Sequence, residues 1–87
     1  MDKLNELRKK IDVLDTILLQ TLFERLLVVD DIGKVKKKLG LQPLDPTRWK
    51  IVLEKGIKQG EQRGLRREFI KKILETIHEE ALLIERQ

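Results

Sequence analysis

The sequence predicts an all-α fold, a three-helix protomer with one long N-terminal helix. Apolar residues recur at three- and four-residue spacing along most of the 87-residue chain, which is the period of an amphipathic helix. Strong turn signals are confined to residues 40–46 and 60–64, apart from an isolated Gly33. No Asn-Gly or Asp-Gly pair, the usual signal for a β-hairpin, occurs in the chain. We therefore expect a single helical domain over residues 1–87.

The first helix is predicted over residues 2–39, where apolar side chains form a heptad-like stripe. The stripe consists of Leu4, Leu7, Ile11, Leu14, Leu18, Val28, Ile32, Val35 and Leu39. At 1.5 Å per residue this helix is about 55 Å long, whereas the other two reach only about 20 and 30 Å. Because one chain cannot cover the whole stripe, we expect an intertwined homodimer that pairs the long helices. The alternative is a simple three-helix bundle with a frayed first helix.

The second and third helices are predicted over residues 46–60 and 65–86. Asp45 can cap the first backbone amides of the second helix, and Pro46 suits its first position. Arg66 offers no side-chain cap to the third helix, so its first turn is expected to fray. The predicted apolar faces are Trp49, Val52, Leu53 and Ile57 on the second helix, and Phe69, Ile70, Ile73, Ile77, Leu82 and Ile84 on the third.

Composition excludes several classes of protein. A net charge of +4, with 40% hydrophobic residues, is typical of a folded domain rather than a disordered chain. The lack of cysteine excludes disulfides and thiolate zinc sites, and the single histidine leaves only carboxylate-dominated metal sites. We therefore expect a cytoplasmic protein. No apolar run approaches the roughly 18 residues of a membrane span, so we expect no membrane partner.

Basic residues cluster in two segments, residues 34–38 and 63–72, a pattern that could serve nucleic acid. Acidic residues are interspersed, however, and one Trp and two Phe are few for base stacking. We therefore expect no nucleic-acid partner.

Two polar residues, Thr21 and Arg25, interrupt the stripe of the first helix, and Arg25 is the more costly to bury. An unpaired guanidinium buried in a seam would cost several kcal/mol, so we expect an anion beside it. Lys36 follows three helical turns later, within about 20° on the same face. The two side chains could grip a small dianion between them. In the alternative, Arg25 pairs with a buried Glu and Lys36 is solvated.

The third helix places His78, Ala81 and Glu85 on one face, at three- and four-residue spacing. Glu85 near a cationic cavity could be a partner or a working group. Taken alone, however, a glutamate near the C-terminus is more often solvated, and a histidine such as His78 more often belongs to a core or an edge than to a catalytic set.

Several short segments follow one another along the chain with a family-like order and spacing. They are Leu7-Arg8-Lys9-Lys10-Ile11-Asp12 with Leu14-Asp15, Glu24-Arg25, Ile32-Gly33-Lys34-Val35-Lys36, and Asp45-Pro46-Thr47-Arg48. Together they resemble the all-helical (class II) chorismate mutases over essentially the whole chain. Arg48-Trp49 and Ile77-His78-Glu79-Glu80 are most similar to the mutase domain that some bacteria fuse to 3-deoxy-7-phosphoheptulonate synthase.

The resemblance implies a three-helix protomer in an intertwined homodimer that rearranges chorismate to prephenate, a step towards phenylalanine and tyrosine. This reaction is an intramolecular pericyclic step, so the resemblance implies no metal and no cofactor. Two readings stay open beside it. One is isochorismate pyruvate lyase, an enzyme of the same fold with a similar dianionic substrate, and the other is a non-catalytic regulatory or structural helical dimer.

Site residues are also implied by the resemblance. Arg25 and Arg48 would hold the substrate carboxylates, and Arg8 would reach in from the partner protomer, which makes each site a shared one. Lys36 would contact a carboxylate and the ether oxygen. Glu85 would be the second donor to that oxygen, a role that it can fill only when it is protonated.

Other positions of the implied site are less polar. Asp45 would approach the ring hydroxyl through its backbone, and Ile32 would line the apolar floor. Two positions depart from the family pattern. Ala81 stands where a hydroxyl side chain often helps to bind a carboxylate. Trp49 stands where many relatives have a Glu that binds the ring hydroxyl.

Overall fold

The computed structural model describes all 87 residues as three α-helices, without any strand. Helix α1 spans Asp2–Leu39, α2 spans Pro46–Gln62 and α3 spans Arg67–Glu85. The all-helical prediction is confirmed. Helix α3 begins two residues later than the predicted start at residue 65, and α2 ends two residues beyond residue 60, differences that are usual where helix ends fray.

The connection between α1 and α2 is built from local signals. Gly40 ends α1 with φ +69°, a left-handed conformation that glycine adopts without strain. The N–H of Leu41 donates to the Lys36 carbonyl at 2.8 Å, which closes the last turn. At the start of α2, the side chain of Asp45 accepts a hydrogen bond from the Arg48 N–H at 3.0 Å. The predicted cap is therefore confirmed, and it fixes the direction in which α2 leaves the loop.

Helix α3 is the element that holds the protomer together, because it packs against both α1 and α2. Glycines on both α1 and α2 permit the close approach. A Cβ on Gly33 of α1 would lie 3.1 Å from the Cα of Glu85, and one on Gly60 of α2 would lie 2.4 Å from Cδ1 of Ile70. The small core formed along these contacts contains Val29, Ile57, Ile70 and Ala81.

Much of the apolar stripe of α1 is uncovered in the protomer, which measures 57 × 24 × 15 Å. Its N-terminal members stay exposed, for example Ile11 at 56% and Leu14 at 58%. The physical reason is length, since α3 has half as many residues as α1 and cannot follow it to its N-terminus. Two residues predicted to pack on α3, Phe69 and Ile73, are likewise exposed in the protomer. None of the three helices combines the length and apolarity needed to cross a membrane.

Candidate functional site

A cavity of about 250 Å³ lies where residues of all three helices and the first connection meet. Its walls are formed by Arg25, Val29, Ile32, Lys36, Pro43, Asp45, Arg48, Trp49, Val52, His78, Ala81 and Glu85. Helical spacing explains why these residues line one cavity, because residues three and four apart on a helix face the same side. The cavity is slightly smaller than the usual range for ligand pockets, and its size suits a small molecule.

The cavity wall includes every site residue that the sequence predicts, with the exception of Arg8. Arg8 lies on α1 about 25 Å from the cavity residue Arg25, at 1.5 Å per residue. This separation means that Arg8 cannot serve the cavity of its own protomer. Its assignment to the partner's site stays a prediction.

Lys36 and Glu85 form the most polar part of the wall. The Lys36 Nζ lies 2.6 Å from Oε1 of Glu85 and donates a hydrogen bond to the carbonyl oxygen of Pro43, also at 2.6 Å. Glu85 is only 8% exposed, so the solvated alternative for this residue is wrong. The ion pair neutralises the charge of this buried carboxylate.

The burial of Glu85 follows from Gly33 on α1. Because this glycine carries no side chain, the backbone of α3 at Glu85 can lie against α1. Lys36, one turn further along α1, then reaches the carboxylate. The alternative in which Lys36 is solvated and Arg25 pairs with a buried glutamate is therefore wrong.

The two guanidinium groups of the wall, Arg25 and Arg48, have no carboxylate within ion-pair distance in the protomer. The expectation that Arg25 meets an anion is not fulfilled within this chain, because Arg25 is exposed to solvent rather than enclosed in the seam. Water solvates both groups at little cost. They are consequently free to bind an anionic ligand.

An aromatic stack forms another part of the wall. The rings of Trp49 and His78 lie parallel, with an interplanar angle of 5° and centroids 3.9 Å apart. Burial lowers the pKa of His78 below its ordinary value of 6.5. The positive charges of Arg25 and Lys36 act in the same direction, and the carboxylate of Glu85 opposes them. The imidazole is therefore neutral at pH 7 and retains one N–H donor.

Sequence reasoning misses two contributors to the cavity. The sequence alone favours a core or edge role for His78, and only the fold places its ring against Trp49. Pro43 contributes its backbone carbonyl. Every residue carries such a group, so no pattern of side chains in the sequence could indicate it. His78 shares a helical face with Ala81 and Glu85, but this position alone does not distinguish a site residue from a core or edge residue.

The arrangement can bind a small molecule with two negative groups. Three cationic side chains, Arg25, Lys36 and Arg48, surround an apolar floor that includes Val29 and Ile32. Charge-assisted hydrogen bonds from guanidinium groups to carboxylates are among the stronger polar contacts in proteins. Cations that are held in place also stabilise negative charge that develops on an oxygen atom during a reaction.

Comparisons with known proteins agree on one family. A family model, chorismate mutase type II, matches residues 7–86. The T-protein of Haemophilus influenzae is 33% identical over 87 residues, which is 100% of this chain and 23% of that protein. The chorismate mutase of Methanocaldococcus jannaschii is 36% identical over 55 residues, 63% of this chain and 56% of that protein. The chain thus spans about a quarter and about half of the lengths of these two relatives.

Proposed function

This chain belongs to the chorismate mutase type II family, and we propose that its cavity catalyses the rearrangement of chorismate to prephenate. The observation that carries the proposal is the set of three cations, Arg25, Lys36 and Arg48, around one small cavity beside a buried carboxyl group. Chorismate offers two carboxylates and an ether oxygen. These are the groups that such a set recognises.

The chemistry needs no group to enter or leave. The C–O bond of the ether breaks while a C–C bond forms within the same molecule, and negative charge develops on the ether oxygen. The protein has to hold the flexible dianion in a compact conformation and stabilise that charge. Arg25 and Arg48 hold the carboxylates in this proposal. Lys36 serves the ether oxygen.

Glu85 is the second group that we assign to the ether oxygen. Its Oε1 lies 2.6 Å from the Lys36 ammonium, so both groups can reach one ligand atom. Binding of the substrate replaces the contact between Lys36 and Glu85 with contacts to the ligand. Glu85 can donate to the oxygen only after it has taken up a proton from solvent, because a carboxylate has no proton to donate.

The active unit is proposed to be a homodimer with shared sites. The support is the uncovered apolar stripe of α1, which continues far beyond the reach of α3. A second copy that pairs its α1 with this stripe covers it, and Arg8 of that copy then reaches the cavity. Analytical ultracentrifugation at micromolar concentration tests this. We expect a dimer; a folded monomer would contradict both the shared site and the role of Arg8.

Activity is tested with two substrates and a matched pair of variants. Chorismate should give prephenate, and Lys36→Ala should lower kcat/KM by about two orders of magnitude or more, because one charge contact to a transition state contributes roughly 3 kcal/mol. Lys38→Ala removes an exposed charge from the same last turn of α1 and should retain activity.

The rival functions predict other products. Release of pyruvate from isochorismate, with chorismate unchanged, would indicate the lyase. A folded dimer that converts neither compound would indicate a regulatory or structural role. Equal losses in Lys36→Ala and Lys38→Ala would show that the cavity is assigned wrongly.

We also propose an association with a 3-deoxy-7-phosphoheptulonate synthase domain, fused or separate. The support is the resemblance of Arg48-Trp49 and residues 77–80 to mutase domains that are fused to this synthase. A titration of this chain with the synthase from the same genome, followed by ultracentrifugation, tests it. Independent sedimentation of the two proteins at micromolar concentrations would contradict the association.

A further inference from the structure

The Trp49–His78 stack joins two helices at the cavity wall. Trp49 lies in the first turn of α2 and His78 in the C-terminal half of α3, and their rings are parallel with centroids 3.9 Å apart. Both side chains are half-buried and line the cavity. The indole covers one face of the imidazole and leaves the ring edge, with its nitrogen atoms, free to form hydrogen bonds.

His78 is surrounded by charges from every element around the cavity. Helix α1 contributes the cations of Arg25 and Lys36, and α3 contributes the carboxylates of Glu79 and Glu85. The start of α2 contributes Asp45 and Arg48, which line the same cavity. In the free protein, burial and the cations of α1 prevail over the carboxylates, and the imidazole is held neutral.

A bound dianion shifts this balance towards the protonated imidazole. Its two negative charges offset the cations that disfavour an imidazolium, and they lie against the same cavity wall as the imidazole. The face of an indole also stabilises a stacked cation. Ala81, one turn along the same face of α3, brings no polar side-chain atom to the ligand. Because Ala81 offers no donor on this face of α3, an imidazole N–H of His78 is the neighbouring group that can donate to the ligand.

We propose that His78 is a ligand-binding residue, whose imidazole, held flat against Trp49, donates a hydrogen bond to the bound dianion and takes up a proton from solvent when the dianion enters. The inference rests on the proposed function, because it takes the ligand to be the dianionic substrate or product. It goes beyond that function by adding a titrating group to the site and a proton to the binding equilibrium.

The chain offers a direct test, since it contains one histidine and one tryptophan. Proton–carbon NMR of the imidazole in the full-length protein follows the ionisation of His78 alone, without and with saturating prephenate. We expect the midpoint of His78 ionisation to rise by at least about one pH unit when prephenate is bound. By linkage, the protein with a protonated His78 then binds prephenate about tenfold more tightly than the protein with a neutral His78. Trp49 fluorescence provides a second signal, because protonation alters the ring stacked on the indole.

Two variants separate hydrogen bonding from stacking. His78→Phe keeps a flat ring against Trp49 but has neither a donor nor a titrating proton, whereas His78→Gln keeps a neutral donor. We expect His78→Phe to raise the KM about tenfold, more than it lowers kcat, and His78→Gln to recover part of that loss. In both, prephenate affinity should depend less on pH between about 6.5 and 5 than it does in the wild-type protein. Glu79→Gln, which changes a neighbouring charge, should retain the prephenate-induced rise in the midpoint.

The outcomes distinguish this inference from the proposed function. If the protein converts chorismate but the His78 midpoint is the same with and without prephenate, the inference is wrong and the proposed function stands. Wild-type affinity and pH dependence in His78→Phe would also overturn it. If the wild-type protein neither binds prephenate nor converts chorismate, the proposed function fails, and the role of His78 fails with it.

Discussion

Replacing Gly33 by alanine perturbs the position of Glu85 without touching any polar group of the cavity. The new Cβ would lie 3.1 Å from the Cα of Glu85 and 3.3 and 3.4 Å from its Cγ and Cβ. The closest of these atoms belongs to the backbone, so the clash cannot be relieved by rotating a side chain. The C-terminal turn of α3 must therefore move away from α1 by a few tenths of an ångström.

Two opposing effects set the stability of Gly33→Ala. Alanine is better than glycine in a helix interior by about 1 kcal/mol, whereas overpacking typically costs about 1–3 kcal/mol. The free energy of unfolding should thus fall by no more than about 2 kcal/mol. The catalytic rate is more sensitive to such a shift, because a misplacement of about 1 Å at an active site can lower the rate a hundredfold. A shift of a few tenths of an ångström between Glu85 and Lys36 should lower kcat/KM roughly three- to tenfold.

The assay compares Gly33→Ala with Gly56→Ala, a matched change in the interior of α2. A Cβ on Gly56 would lie 2.4 Å from Cδ1 of Leu74, a contact that is outside the cavity and that a flexible side chain can relieve. Gly56→Ala should alter the urea midpoint while kcat/KM stays within about twofold of wild type. Wild-type kcat/KM in Gly33→Ala would refute the reasoning that this contact positions Glu85, as would equal losses of activity in both variants.

Three further predictions concern single side chains. Asp45→Ala removes the cap on the Arg48 N–H and should lower the free energy of unfolding by about 1 kcal/mol in urea denaturation; an unchanged midpoint would contradict this. Because the pKa of His78 is lowered in the fold from 6.5, the unfolded chain binds the proton first, and stability should decrease as the pH falls through about 6.5. Urea titrations at pH 7.5 and pH 5 should show a smaller loss of unfolding free energy in His78→Phe than in the wild-type protein. An equal loss in both proteins would contradict this prediction. Glu85→Gln supplies a permanent donor and should keep at least most of the wild-type kcat/KM, whereas Glu85→Leu supplies none and should lower kcat/KM by about two orders of magnitude; equal activity in the two variants would show that Glu85 is not the donor.

Local signals in the sequence are sufficient to specify the helices and their ends. Asp45 and Pro46 start α2, and Gly40 ends α1, through interactions that span at most five residues. Helical periodicity also indicates which residues share a face, and it places Arg25 and Lys36 on the same side of α1, where both line the cavity. The resemblance of short segments then assigns chemical roles to positions whose individual patterns are common in lysine-rich helices.

Tertiary contacts determine which faces meet and how far each is buried. Glu85 is enclosed because Gly33, more than fifty residues earlier, lets α3 approach α1, and periodicity within one helix carries no information about its partner. The same limit hides the stacking of Trp49 on His78. The sequence predicts an anion beside Arg25, but the cost of leaving this guanidinium unpaired depends on the water that the fold leaves around it. Local sequence sets the conformation of each segment, whereas burial and ion pairing arise from contacts between segments that are distant in the chain.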